Sequence, residues 1–191
     1  MRALLVVMVL VALVLVSSGA AVPLAHSRFE RASADHYAIT ASGVGGFAVR
    51  GATYAKAVRY FAGSGLRLTP SFGLNTCALT SKARGLQLIF VSFAGSRGTH
   101  TTCTLFFAAT VSDPAWHTRN GLRVSDPLVL LRHLFPAAAD GAELVGPQFG
   151  VPNWSAWWWL TRPPRNGGGT IVTAYVTHGH VAALGLDLVG H

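Results

Sequence analysis

The stretch WHTRNGLRVSDPLVLLRHLFP, residues 116–136, joins a strand-like segment directly to an amphipathic helix. Asp126 before Pro127 is typical of a helix start, because an N-cap carboxylate accepts from free backbone N–H groups and proline tolerates the next position. We therefore expect the helix to begin at Asp126. Three- and four-residue spacing predicts one apolar face for this helix. That face comprises Leu128, Leu131, Leu134 and Phe135.

The segments on either side predict strands, and an earlier part of the chain shows the same order of elements. A first helix is expected at residues 54–61, with Thr53 as its N-cap. Alternating apolar segments between turn residues predict antiparallel hairpins. The strands are predicted at residues 74–80, 86–93 and 102–111 in the first half, and at 154–161, 170–177 and 180–188 in the second.

The two halves resemble copies of one unit. Gly46 and Gly121, for example, lie 75 positions apart (121 minus 46) at equivalent places in the order of elements. We predict an α+β fold of two tandem helix-on-antiparallel-sheet units, at residues 37–112 and 113–191. The alternative is that the two halves share their order of elements by chance. The structure would then be a single continuous β-rich domain with peripheral helices.

The N-terminus has the features of a secretory signal peptide. Arg2 precedes an uninterrupted apolar run at residues 3–16, and small residues follow at 17–21. The run is shorter than the ~20 residues that a membrane-spanning helix needs. We predict a cleaved signal peptide at residues 1–21, a flexible leader at 22–36, and a secreted or envelope-located protein with no stable membrane span. An uncleaved N-terminal anchor is the alternative.

The chain is basic, with 15 Lys and Arg against 7 Asp and Glu and a formal net charge of +8. A positive protein outside the cytoplasm can meet anionic envelope or surface polymers. Arginines scattered over an ordinary surface are the alternative explanation. No run of basic residues alternates with aromatic ones, so nucleic acid is not an expected partner.

Cys77 and Cys103 are the only cysteines. In an oxidising compartment the simplest expectation is that they pair with each other, and such a crosslink contributes ~3 kcal/mol by restricting the unfolded chain. One reactive thiol is the competing interpretation.

Aromatic residues mark the candidate binding surface. Alternation along a strand places Trp157 and Trp159 on one face and Trp158 on the other, and it places Tyr175 of the next strand with the first pair. We expect Trp158 to pack beneath the second helix. We expect Trp157, Trp159 and Tyr175 to form a partly exposed surface suited to another extracellular protein or to carbohydrate stacking. The alternative is that the other half of the molecule covers them.

Catalytic and metal chemistry find little support. His178 and His180 could supply two metal ligands on a straight strand, but a hairpin turn at residues 178–179 would separate the rings. Carboxylates are few, and no G-x-S-x-G elbow is present. We therefore expect no cofactor, no metal and no enzyme activity. An extracellular hydrolase with a convergent Ser-His-Asp triad is the alternative.

A resemblance extends over most of residues 40–188. The residues that carry it are Trp116, Thr118, Gly121, Leu122, Val124, Asp126, Phe135, Pro136, Gly179 and Val181. The pattern resembles small exported bacterial repeat domains related in shape to the beta-lactamase inhibitor protein and to the small lipoprotein of the outer-membrane barrel-assembly machine. Cys77 and Cys103 resemble a cysteine pair found in such exported proteins. Ser125 stands where these domains often have glycine, and His178 and His180 replace their acidic and basic turn residues. The resemblance implies a non-catalytic, inhibitor-like binding module.

Overall fold

Strands dominate the computed structural model of the chain, which describes residues 36–92, 99, 102–140, 156–162 and 168–189. The predicted signal peptide and the leader up to residue 35 lie outside these residues. Every element described below belongs to one compact unit. The fold is therefore mixed α+β, with two α-helices and two sheets among the described residues.

The elements follow one another in this order. In the first half they are β1 Ala38–Thr40, β2 Gly43–Val44, β3 Phe47–Ala48, α1 Tyr54–Gly63, β4 Thr69–Gly73, β5 Thr76–Ser81, a 3-10 turn Lys82–Arg84, β6 Leu86–Val91 and β7 Leu105–Val111. In the second half they are β8 His117–Thr118, α2 Leu128–Leu134, β9 Ala139–Asp140, β10 Ala156–Trp159, β11 Gly169–Thr177 and β12 His180–Val189.

Eight strands form one antiparallel sheet in the order β4-β5-β6-β7-β12-β11-β10-β9. The predicted meanders are confirmed at β5–β6–β7 and at β10–β11–β12. Strand β4 was not predicted. It is an exposed edge strand that contains Pro70, and proline is tolerated at an edge because a missing donor there breaks no ladder.

The two runs of strands meet in the middle of this sheet, where β7 pairs with β12. Among the described residues a helix followed by four strands thus occurs twice, and both runs share one continuous sheet. This order is compatible with tandem units and also with the predicted alternative of a single β-rich domain. The internal repeat stays a prediction.

A second, smaller sheet has the order β3-β2-β1-β8, with β1 and β8 parallel. Trp116, just before β8, is fully buried, and its indole N–H donates to the carbonyl of Arg84 at 2.7 Å. The ring of Tyr37 meets Trp116 edge-on at 5.4 Å. Trp116 therefore fastens the small sheet to the turn between β5 and β6.

The main core lies on one face of the large sheet. Its central sheet residues are Leu86, Leu88, Phe90, Ala109, Val111, Val172, Ala174, Leu184 and Leu186. Both helices pack on this face, with Tyr54, Ala57 and Phe61 from α1 and Leu131 from α2. The predicted apolar side of the second helix is thus confirmed, since Leu128, Leu134 and Phe135 also pack against the core.

The two helices begin in different ways. Thr53 is the N-cap of α1, as predicted, and its hydroxyl accepts from the amide of Lys56 at 3.3 Å. The prediction for α2 was wrong, because its N-cap is Pro127 and no side chain caps it. The Asp126 carboxylate instead accepts from the amide of Arg123 at 2.7 Å and so closes the preceding turn.

The predicted disulfide between Cys77 and Cys103 is present, with the two Cα atoms 6.1 Å apart. It joins β5 to the segment just before β7. The carbonyl of Cys103 also accepts from the amide of Tyr54, the first residue of α1. The crosslink therefore ties the sheet to the start of the first helix.

Candidate functional site

The register of β10, β11 and β12 decides which side chains share the face away from the helices. Trp157 lies opposite Tyr175, and Trp159 lies opposite Thr173. Trp158 points the other way, is 8% exposed, and has the guanidinium of Arg132 from α2 5.4 Å from its ring centre. The predicted alternation, with Trp158 beneath the second helix, is confirmed.

We call this surface the aromatic face and define it by Trp157, Trp159, Thr173, Tyr175 and Asp187. The indole rings of Trp157 and Trp159 lie 4.9 Å apart at an angle of 56°. Trp159 is 36% exposed and Trp157 is partly buried, packed against the pair Tyr175 and Ala183. The ring of Trp159 is thus supported by Trp157, which in turn packs on Tyr175, and this packing restricts its motion.

Tyr175 departs from the prediction of a partly exposed side chain, because it is only 5% exposed. Its ring lies over Gly185 on the neighbouring strand, where an added Cβ would come within 2.8 Å of the ring carbon Cε2. Glycine at position 185 therefore leaves the space that the tyrosine ring fills. Tyr175 supports the aromatic face rather than offering a contact of its own.

Beside Tyr175 lies a carboxylate that was not predicted as part of the site. The Thr173 hydroxyl donates to Oδ2 of Asp187 at 2.9 Å, and the Tyr175 hydroxyl donates to the same oxygen at 3.4 Å. Thr173 is itself buried. The three side chains form a polar cluster within an otherwise apolar part of the sheet.

Burial is the main influence on the pKa values of Asp187 and Tyr175. It raises the pKa of Asp187 from 3.8 to about 6, although the hydrogen bonds from Thr173 and Tyr175 act in the opposite direction. Burial, and after it the neighbouring carboxylate, raises the pKa of Tyr175 above its usual 10.0. The tyrosine thus stays protonated at neutral pH and remains a donor to Asp187.

The chemical capacity of the cluster is limited. A carboxyl group with a pKa of about 6 can exchange a proton near neutral pH. Among the described residues, however, no histidine forms a hydrogen bond with Asp187. The geometry therefore provides a buried acid and two hydroxyl donors, without the base and nucleophile of a triad.

The other candidate residues lie apart from this face. His178 and Gly179 occupy the turn between β11 and β12 and both have positive φ, as a type I′ hairpin requires, so the predicted turn is confirmed. The ring of His180 lies 3.2 Å from the carbonyl oxygen of Ser125. Within the parts of the chain that the structure describes, no three His, Cys, Asp or Glu residues gather as a metal site.

Asp187 could have been noticed in the sequence as a charge within the apolar strand GLDLV. Its partners could not, because the register between β11 and β12 shifts at Tyr175 and Val176. The shift brings Asp187 to the same face as Thr173 and Tyr175. A regular hairpin would have placed it on the other face.

Comparisons of this chain with family models, with curated proteins and with solved structures found no match. Among the described residues, no helix has the length and apolar character needed to cross a membrane. The Cys77–Cys103 disulfide is consistent with an extracytoplasmic location, since such bonds persist in oxidising compartments.

Proposed function

We propose that this chain is an exported, non-catalytic binding module that captures another extracellular protein through the aromatic face. The observation that carries the proposal is the tilted pair Trp157 and Trp159, of which Trp159 is 36% exposed. Tryptophan is enriched among residues that dominate interface energetics, because it covers a large area at a small entropic cost.

The position of the pair favours binding of a macromolecule. Among the described strands, β10 lies next to the end of the large sheet with only the short β9 beyond it, and such an edge position favours contact with a partner. Trp157 also packs on Tyr175 and Ala183, which reduces the motion that a partner would have to arrest.

Export is part of the proposal. It is supported by the apolar N-terminal run, by the small residues at 17–21, and by the disulfide. The tandem organisation and the resemblance to inhibitor-like exported domains are proposed with it, because the known members of that group with an assigned role are binders rather than enzymes.

The aromatic face is tested with the double variant Trp157→Ala/Trp159→Ala. The native secretome is crosslinked to the purified chain, and the captured partner is quantified by mass spectrometry. We expect the variant to lose most of the partner recovered by the wild type while it still unfolds in one cooperative transition, at a lower temperature because Trp157 packs on Tyr175 and Ala183. Val129→Ala, which removes an exposed apolar side chain on the opposite side of the sheet, is the matched control. Equal recovery by the double variant and the wild type would contradict the proposal.

A second candidate is a basic envelope protein held by anionic polymers. It is favoured by the net charge of +8, and by the absence of any ion pair among the charged residues of the described segments. Exposed cationic side chains such as Arg67 and Arg119 can therefore meet a polyanion.

This second candidate predicts release from isolated envelopes by moderate salt, because screening shortens the range of charge attraction to about 8 Å at physiological ionic strength. The measurement is the bound fraction of the chain across a sodium chloride series. Retention at high salt, together with loss of retention in Trp157→Ala/Trp159→Ala, would favour the aromatic face instead.

A further inference from the structure

A separate cavity lies on the helix side of the large sheet, away from the aromatic face. It has a volume of about 560 Å³, within the range of small-molecule sites. Its wall combines β1, the turn after β8, the end of α2 and the chain around β10 and β11. Its lining residues are Ile39, Thr40, Ala41, Ser42, Thr118, Arg119, Asn120, Phe135, Leu160, Thr161 and Val172.

The floor of the cavity is apolar. Ile39, Leu160 and Val172 are buried members of the main core, and Phe135 packs beside them. Phe135 is half-buried and presents apolar surface to the cavity, so a hydrocarbon group in contact with it removes that surface from water. A fully polar ion would make no favourable contact with these apolar side chains.

The polar part of the wall offers hydrogen-bond donors. The Thr118 hydroxyl oxygen accepts from the amide of Leu122 at 3.1 Å, and the Thr161 hydroxyl oxygen accepts from the amide of Val172 at 2.9 Å. Neither hydroxyl hydrogen has an acceptor among the described residues. Both hydroxyls can therefore donate to a ligand, and they favour a ligand rich in acceptors.

The charge of the cavity wall also favours a ligand rich in acceptors. Arg119 is exposed and forms no ion pair with any other described residue, and no Asp or Glu is among the described residues that line the cavity. A guanidinium and two hydroxyl donors that line the same cavity suit the two oxygens of a carboxylate.

We propose that this cavity binds a small carboxylate with a short hydrocarbon tail. The tail lies on the apolar floor beside Phe135, and the carboxylate accepts from Arg119 and from hydroxyls of the same cavity wall. This site lies on the opposite face of the sheet from Trp159 and does not depend on the protein-binding role proposed above.

The probe is octanoate, and the readout is methyl NMR of isoleucine-labelled protein. The chain has three isoleucines, Ile39, Ile89 and Ile171. Ile39 lies in the cavity wall, whereas Ile89 lies in β6 on the other face of the sheet and serves as the internal reference. We expect octanoate to shift the Ile39 signal saturably and to leave the Ile89 signal in place.

The head group is tested with 1-octanol and octylammonium, which have the same number of carbon atoms as octanoate. We expect both to bind roughly tenfold more weakly than octanoate, because the neutral hydroxyl of 1-octanol makes weaker hydrogen bonds than a carboxylate, and octylammonium has no acceptor and the same charge as Arg119. Binding of 1-octanol as tight as that of octanoate would overturn the proposal, as would an Ile39 signal that does not shift.

Arg119→Gln should raise the Kd for octanoate roughly tenfold and leave the weak binding of 1-octanol unchanged. Arg119→Lys should retain part of the preference for octanoate over 1-octanol. Arg67 is an exposed arginine outside the cavity, and Arg67→Gln should retain the whole preference. Thermal melts of each variant report folding. An unchanged octanoate Kd in folded Arg119→Gln would also overturn the proposal. If that variant does not fold, the comparison of head groups on the wild type still decides the question.

Discussion

Asp187 shows how burial and hydrogen bonding compete at a single residue. Its carboxylate accepts from Thr173 and Tyr175, and both bonds favour the ionised form. Loss of water around the group favours the neutral form more strongly, which leaves the pKa at about 6. The folded state therefore holds a proton that the unfolded state releases at lower pH.

This difference predicts how stability depends on pH. Below pH 3.8 both states are protonated, and Asp187 has no effect on the free energy of unfolding. Between pH 3.8 and about 6 only the folded state keeps the proton, so stability falls as the pH rises. Above that window the loss is complete and reaches up to about 3 kcal/mol.

Asp187→Asn should remove this loss, because the amide oxygen can still accept from Thr173 and Tyr175 without carrying a charge. We expect the variant to be more stable than the wild type at pH 7 to 8, and the difference to shrink towards pH 4. Urea unfolding at a series of pH values measures it. Parallel stability curves for the two proteins would show that Asp187 does not titrate in this window.

At the level of elements, the β11–β12 hairpin organises the start of α2. The amide of Leu128 donates to the carbonyl of Gly179, and the amide of Ser125 donates to the carbonyl of Val181, both within 2.8 Å. The amide of Val181 donates back to the carbonyl of Asp126. The helix therefore begins where the hairpin holds its first backbone groups, which explains why it needs no side-chain cap.

Gly179→Ala tests this arrangement. Gly179 has φ +77°, and no atom lies within 4 Å of an added Cβ, so the cost of the substitution is conformational. We expect a loss of about 1–2 kcal/mol in the free energy of unfolding, since L residues disfavour this region. Gly63→Ala at the end of α1 also has open space and lacks the positive φ, and it should stabilise by about 0.5 kcal/mol. Equal effects in the two variants, measured by chemical denaturation, would contradict the conformational argument.

At the scale of the whole molecule, the disulfide and the continuous sheet join distant parts of the chain. Cys77 and Cys103 are separated by 26 positions, and the closed loop contains β6 and the 3-10 turn before it. Because the loop is closed in the unfolded chain as well, the crosslink reduces the entropy that folding removes.

Replacing both cysteines, Cys77→Ser/Cys103→Ser, should lower the free energy of unfolding by about 3 kcal/mol. Guanidinium denaturation of the oxidised wild type and the double variant measures the difference. Labelling of native wild-type protein without reductant should find no free thiol. One reactive thiol per molecule would show that the pair is not formed in solution.

The sequence by itself determined the features that depend on local spacing. Neighbours within a few positions determine three of these features. They are the helix that starts after Thr53, the turn at His178 and Gly179, and the opposite directions of Trp158 and Trp159. The disulfide followed from there being only two cysteines and from the predicted export to an oxidising compartment.

Only the tertiary structure decided the features that depend on long-range register. Continued regularly from the pair Thr177 and His180, the hairpin would place Asp187 opposite Thr170, on the core side. The bulge pairs Asp187 with Ile171 and so turns it towards Tyr175. The cavity beside Arg119 likewise needs segments that are far apart in the chain. Local patterns do not predict which distant side chains meet. One extra residue in a strand moves all the following side chains to the opposite face of the sheet, and packing with the rest of the fold determines where such a bulge forms.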